Sequence, residues 1–314
     1  MLRSLTTLQA TQAARRLSIP VEARESPASA AFLEAFRRRN TALDSLFYDV
    51  SAVSETEAAS LAPWLAREGA ILSVPPDGEG EISVFASPEA FINGGGQDIR
   101  VLAVAGVGSS ALGTAAFARN IANGLGQTTA AVVSGYGLAD LATEALGGYF
   151  LFGMLNGLRH AFQSLERQEQ SQAADIEIAS NPARQSIDTL TVMNLLADNR
   201  ARFETVIGHS KGNLVISEAM YALSNTDPAR AAALGASIQF VTVSARIALP
   251  PVCKNVLDVM GALDWFGEIN SRPSIKPDIV VPNAWHHTNR ELPASLRVPE
   301  MLLAARQAGF LRIS

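Results

Sequence analysis

Gly208-His209-Ser210-Lys211-Gly212 sets a serine between two glycines in the frame G-x-S-x-G. That frame arises by chance in roughly one chain of this length in ten, so its flanks carry the argument. "FETVI" precedes it with the apolar and β-branched residues of a strand, and "KGNLVISEAMYAL" follows with strong helix formers. A serine on a sharp strand-to-helix turn needs small neighbours, because strand and helix nearly touch there. The helix start also offers amide N–H groups and a positive dipole end to a reacting oxygen. Ser210 is therefore a candidate nucleophile.

A serine hydroxyl attacks poorly at neutral pH and needs a base within hydrogen-bond reach. The chain holds four histidines, His160, His209, His286 and His287. His209 adjoins Ser210, so its side chain is expected to point away and pack beside the turn. His160 ends an apolar helical pattern, where a solvent-facing or capping role fits. The pair in "PNAWHHTNRELP" follows a short apolar strand in a turn-rich loop, where an imidazole can reach over a sheet edge. Of the two, His287 is preferred as the base, because His286 adjoins Trp285 and is expected to be taken up by packing.

The acid that orients the base belongs between serine and histidine in chain order, at the end of an intervening strand. Asp264 in "VMGALDWFGEINS" lies just beyond an apolar run, between Gly261 and Gly267, and is the first choice. Glu268 comes second and Asp278 third. Asp227 precedes Pro228 and reads as a helix cap, and Asp258 falls inside a strand. Two oxyanion donors complete the set. One is the backbone N–H of Lys211, and the other comes from "VAGVGSS", with Val107 ahead of Gly108 and Ser109.

These residues need a scaffold that brings distant loops together. "IRVLAVAG" (99–106), "TTAAVVSGYG" (128–137), "FETVI", "SIQFVTVSA" (237–245), "NVLDVMG" (255–261) and "DIVVPNAW" (278–285) read as strands, separated by helical patterns. Such alternation predicts a three-layer α/β/α sandwich with a mainly parallel sheet. Residues 28–70 read as helical and "AILSVPP" and "EISVFASPEAFI" as short strands. The glycine joint near residue 96 then divides the chain into an N-terminal helical extension (1–96) packed on a catalytic core (97–314). The apolar stretch around 138–163 reads by itself as a buried helix.

With these parts in the order Ser, Asp, His, the chain resembles the α/β-hydrolase superfamily, and lipases and esterases within it. The resemblance rests on "AGVGSS" after a strand, "GHSKG", "GALDWFGE" and "AWHHTN", and covers roughly residues 99–290. It implies the α/β-hydrolase fold, two-step acyl transfer through an acyl-serine, a small-molecule or lipid-like ester substrate, no cofactor, and a lid around 138–163 whose Phe150, Leu151, Phe152, Met154 and Leu155 could line an acyl pocket.

Two other readings stand beside it. "GVGSSA" (106–111) fits G-x-G-x-x-A after a strand, as a dinucleotide-binding loop would, although no acid ends the following strand. A hydrolase fold without catalysis, binding an apolar ligand or partner, is the other. Composition narrows the field. Of 314 residues, 48% are hydrophobic and 18% charged, which supports a large core. The net charge of −5 gives no basic excess for nucleic acid. A single cysteine, Cys253, leaves no disulfide framework or cysteine-rich metal site. No stretch reads as a membrane span or secretory leader, so a cytoplasmic location is expected.

Overall fold

The computed structural model of the chain describes residues 2–17, 43–65, 67–106, 109–134 and 186–311. One sheet of eight strands organises them: β1 (Ile71–Val74), β2 (Ser83–Phe85), β3 (Val101–Val104), β4 (Thr129–Val132), β5 (Thr205–His209), β6 (Gln239–Val243), β7 (Asn255–Gly261) and β8 (Ile279–Val281). Their spatial order is β2-β1-β4-β3-β5-β6-β7-β8. Every pair from β4 to β8 is parallel, whereas β1 runs antiparallel to both β2 and β4. The fold is α/β with a mixed, mostly parallel sheet.

Parallel strands with helices on both faces must be apolar on both faces. All four residues of β3 are buried. Val101 and Ala103 face one core, with Leu102 and Val104 in the other. The first core receives helices α2 (Glu55–Leu61), α4 (Ala111–Leu125) and α9 (Val298–Gln307). The second receives α3 (Pro88–Asn93), α5 (Ile187–Ala197), α6 (Lys211–Thr226) and α7 (Pro228–Ser237). Two further helices are α1 (Leu2–Leu17), which packs on α2 with Leu8 against the first core, and α8 (Trp265–Ile269), which follows β7. Helices on both faces make the architecture compatible with three layers.

Several elements differ from the sequence reading for local reasons. "EISVFASPEAFI" is not one strand: β2 ends at Phe85, the Ser87 hydroxyl accepts from the Ala90 amide at 3.2 Å, and Pro88 opens α3. Serine at the cap followed by proline is a helix start. Helix α5 stops at Ala197, because Asp198 turns its carboxylate to the Arg200 amide at 2.8 Å. The segment before residue 97 is more than a helical extension. It adds β1 and β2 to the sheet, and Glu57 pairs with the buried Arg119 of α4, whose guanidinium also reaches the Pro76 carbonyl. Removing one partner of a pair buried this way typically costs about 3–5 kcal/mol.

One feature of the topology positions the site. From β3 the chain moves outward to β4, then returns to β5 on the other side of β3. The carboxyl ends of β3 and β5 therefore open onto a crevice where the winding reverses, the place where open α/β sheets bind ligands.

Candidate active site

Ser210 joins the end of β5 to the start of α6 at that crevice. Its backbone has φ +52° and ψ −120°, a conformation that costs a non-glycine residue about 1–3 kcal/mol. The surroundings hold it there. The Ser210 amide donates to the Val243 carbonyl of β6 at 2.8 Å, and the Asn213 side-chain amide bridges the carbonyls of Val243 (3.0 Å) and Ala245 (2.8 Å). The glycines are required by space. A Cβ on Gly212 would stand 2.0 Å from the Val104 carbonyl oxygen, and one on Gly208 would stand 2.2 Å from Asn213 Oδ1.

The half-buried Ser210 hydroxyl lies 3.0 Å from His286 Nε2. His286 Nδ1–H faces both carboxylate oxygens of Asp264, at 3.0 and 3.1 Å. Asp264 also caps α8 by accepting the Gly267 amide at 2.6 Å. Burial pushes the Asp264 carboxyl up, but its hydrogen bond to His286, the His286 charge and the Gly267 amide outweigh it, and the pKa falls below the usual carboxylate value. His286 sits against the ring edges of Phe266 (4.7 Å between centroids) and Phe47 (6.1 Å). Gly261 lets the histidine loop pass over the end of β7, since a Cβ there would meet the Ala284 carbonyl oxygen at 2.3 Å.

The preference for His287 is corrected by this geometry. The two adjacent imidazoles reach different partners, and only one of them meets Ser210. That one is His286. His287 turns to the Pro293 carbonyl at 2.9 Å, where burial lowers its pKa. Trp285, expected to draw His286 into packing, lies half-buried beside both imidazoles. The other acids are engaged elsewhere. Glu268 pairs with Arg246, Asp278 accepts the Asp258 amide at 2.8 Å, and Asp227 caps α7 through the Arg230 amide at 2.9 Å.

Lys211 is the first residue of α6, directly after Ser210. On the other side of the crevice, the Ser109 amide closes a turn onto the Gly106 carbonyl at 3.3 Å. Val107 and Gly108 lie outside the described residues, as do His160 and the stretch 138–163. Nothing near this loop in sequence reveals what grips it. Asp44 and Tyr48, from a segment that is helical over 43–47, hold its two ends. The Gly106 amide donates to Tyr48 Oη at 2.6 Å, and the Ser110 amide and hydroxyl donate to the Asp44 carboxylate at 3.2 and 2.5 Å. Asp44 sits where a Cβ on Gly113 would be, at the N-terminus of α4. The protein's own carboxyl group thus takes the amides at the α4 N-terminus, where a helix start would otherwise receive an anion. Burial raises the Asp44 pKa to about 7, against the lowering effect of bonds from Ser110 and Gly113.

Among the described residues no group of His, Cys, Asp and Glu side chains gathers as a metal site, and no helix is long and apolar enough to cross a membrane. Comparison with known protein families, with curated proteins and with solved structures finds no match.

Proposed function

We propose that this protein is a serine hydrolase of carboxylic esters with the α/β-hydrolase fold, acting through an acyl-serine. The reading rests on one observation, the line of hydrogen bonds from the strained Ser210 through His286 to Asp264. His286 Nε2 takes the hydroxyl proton as Ser210 Oγ attacks the ester carbonyl carbon. Asp264 keeps the other imidazole proton on Nδ1 and stabilises the imidazolium that forms. The developing oxyanion is received by the Lys211 amide and by an amide of the loop 106–109, with Val107 the candidate from sequence. The imidazolium then protonates the leaving alcohol, and water repeats the sequence in reverse to release the acid.

An apolar substrate is favoured by the rim of the site. Leu263 and Trp265 are more than half exposed beside the acid loop, and Trp265 lies 6.4 Å from Trp285, the neighbour of His286. Small or lipid-like aliphatic esters fit that face. The dinucleotide reading has the opposite support, because Asp44 fills its anion position.

The test is covalent labelling with a fluorophosphonate and hydrolysis of p-nitrophenyl esters of graded acyl length, by the native protein and by Ser210→Ala. Labelling and hydrolysis are expected in the first and absent from the second. A native protein that neither labels nor turns over any ester in the series would overturn the reading.

A further inference from the structure

His209 does more than pack beside the elbow. Its side chain is buried, with Nε2 2.9 Å from the His286 carbonyl oxygen and Nδ1 3.0 Å from Tyr48 Oη. These partners fix the protons between Tyr48 and the His286 carbonyl. A carbonyl only accepts, so His209 Nε2 carries hydrogen and donates to it. Burial and the neighbouring His286 lower the His209 pKa to about 3, so the ring is neutral and Nδ1 is an acceptor. Tyr48 must then donate to Nδ1, while its oxygen accepts the Gly106 amide at 2.6 Å. The result is a directed path, Gly106 N–H to Tyr48 O–H to His209 N–H to the carbonyl of His286.

The path links the start of the loop 106–110 to the residue facing Ser210. The same N-terminal segment grips the histidine loop a second way, since the Phe47 carbonyl accepts the Thr288 amide at 2.7 Å and the Ser45 carbonyl accepts the Asn289 side-chain amide at 2.5 Å. Two loops that belong to opposite ends of the core sequence are thus referenced to residues 44–48.

We propose that Tyr48 and His209 are positioning residues that fix the distance between the oxyanion loop and the His286 imidazole by hydrogen bonding through one histidine tautomer. This rests on the serine-hydrolase reading for its kinetic consequence, although the geometric consequence stands apart from it. Neither residue touches substrate. A misplacement of about 1 Å between reacting groups lowers a rate by about 10²-fold, so the effect belongs in kcat and leaves KM nearly unchanged.

Three variants of the full chain test this. Tyr48→Phe keeps the ring and removes the relay. His209→Gln keeps an N–H at the Nε2 position toward the His286 carbonyl, whereas His209→Asn reaches only the Nδ1 position. The expected kcat losses are about 10- to 100-fold for Tyr48→Phe and His209→Asn, with His209→Gln retaining several-fold more than His209→Asn. A second readout needs no substrate: the low-field NMR resonance of the His286 Nδ1 proton facing Asp264. It is expected to be sharp in the native protein and in His209→Gln, and broadened by solvent exchange in the other two. If the native protein fails to label with fluorophosphonate, the hydrolase reading fails while the resonance still tests the positioning. If all three variants keep both native kcat and a native resonance, or if Gln and Asn at 209 lose equally, the proposal is overturned. Should His209→Asn not fold, Tyr48→Phe against His209→Gln decides it on the same criteria.

Discussion

Replacing Gly212 by alanine sets two effects of opposite sign against each other. Alanine is the better helix former, and in a helix interior the exchange gains about 1 kcal/mol. Here the new Cβ would lie 2.0 Å from the Val104 carbonyl oxygen and 2.7 Å from that of Ala105. A relaxed carbon–oxygen contact needs about 3.3 Å, so the start of α6 must retreat from β3 by about 1.3 Å. Both parties to the clash are backbone, and no rotamer change relieves it. Overpacking of this kind costs about 1–3 kcal/mol or more, which at this site outweighs a propensity gain already reduced at a helix end. The same retreat carries Ser210 and the Lys211 amide with it, and a shift of about 1 Å lowers catalysis by about 10²-fold. Urea denaturation should therefore show a lower midpoint with an unchanged slope, and fluorophosphonate labelling should slow by about two orders of magnitude. A Gly212→Ala protein that is more stable than the native one and labels at the native rate would refute the close approach of helix and strand.

Asp264→Asn should lower kcat by about 10⁴-fold, the size of the tautomer effect in serine triads. Asparagine leaves one oxygen for the Gly267 amide and His286 Nδ1 to share and puts an NH₂ beside Nδ1 in place of the other, which favours the tautomer with the proton on Nε2, as steady-state kinetics with a p-nitrophenyl ester will report. His286→Ala should abolish labelling, while His287→Ala should keep it within about tenfold and lose about 1–3 kcal/mol of stability with the Pro293 bond. The reverse outcome would return the base to His287. Asp44 has its pKa raised from 3.8 to about 7, so between those values the folded protein holds a proton that the unfolded chain has lost. Stability from this group is full below pH 3.8 and falls as pH rises to 7, by an amount on the order of a few kcal/mol. Urea midpoints at pH 5 and pH 8 should differ less for Asp44→Asn than for the native protein, and an equal difference would place a charged Asp44 in the fold across that range.

Much of the scaffold was legible in the sequence because buried strands and elbow glycines obey local rules. The run at 255–261 is β7 residue for residue, and "FETVI" leads into β5. The glycines around Ser210 are explained by contacts within the strand–turn–helix unit and with the adjacent strand. Chain order narrowed the acid to five carboxylates, and the place of Asp264 just beyond the apolar run, between Gly261 and Gly267, put it first among them. The choice between His286 and His287 was beyond sequence, because adjacent residues share composition and neighbours and differ only in the side of the loop they face. Trp285 pointed the wrong way for that reason.

What the sequence determined by itself is the set of parts: an apolar mostly parallel sheet, a serine in a cramped turn, an acid and two histidines in loops beyond later strands. These follow from periodicity, side-chain volume and backbone freedom, which act over a few residues. Only the tertiary structure decided which histidine meets the serine, and that Asp44, Tyr48 and Asn213 hold the site in shape. Asp44 and Tyr48 lie about sixty residues from the loop they grip and carry no local mark of that role. The groups they hold in that loop include backbone amides, which every residue but proline possesses, so no sequence pattern can single them out before the chain is folded.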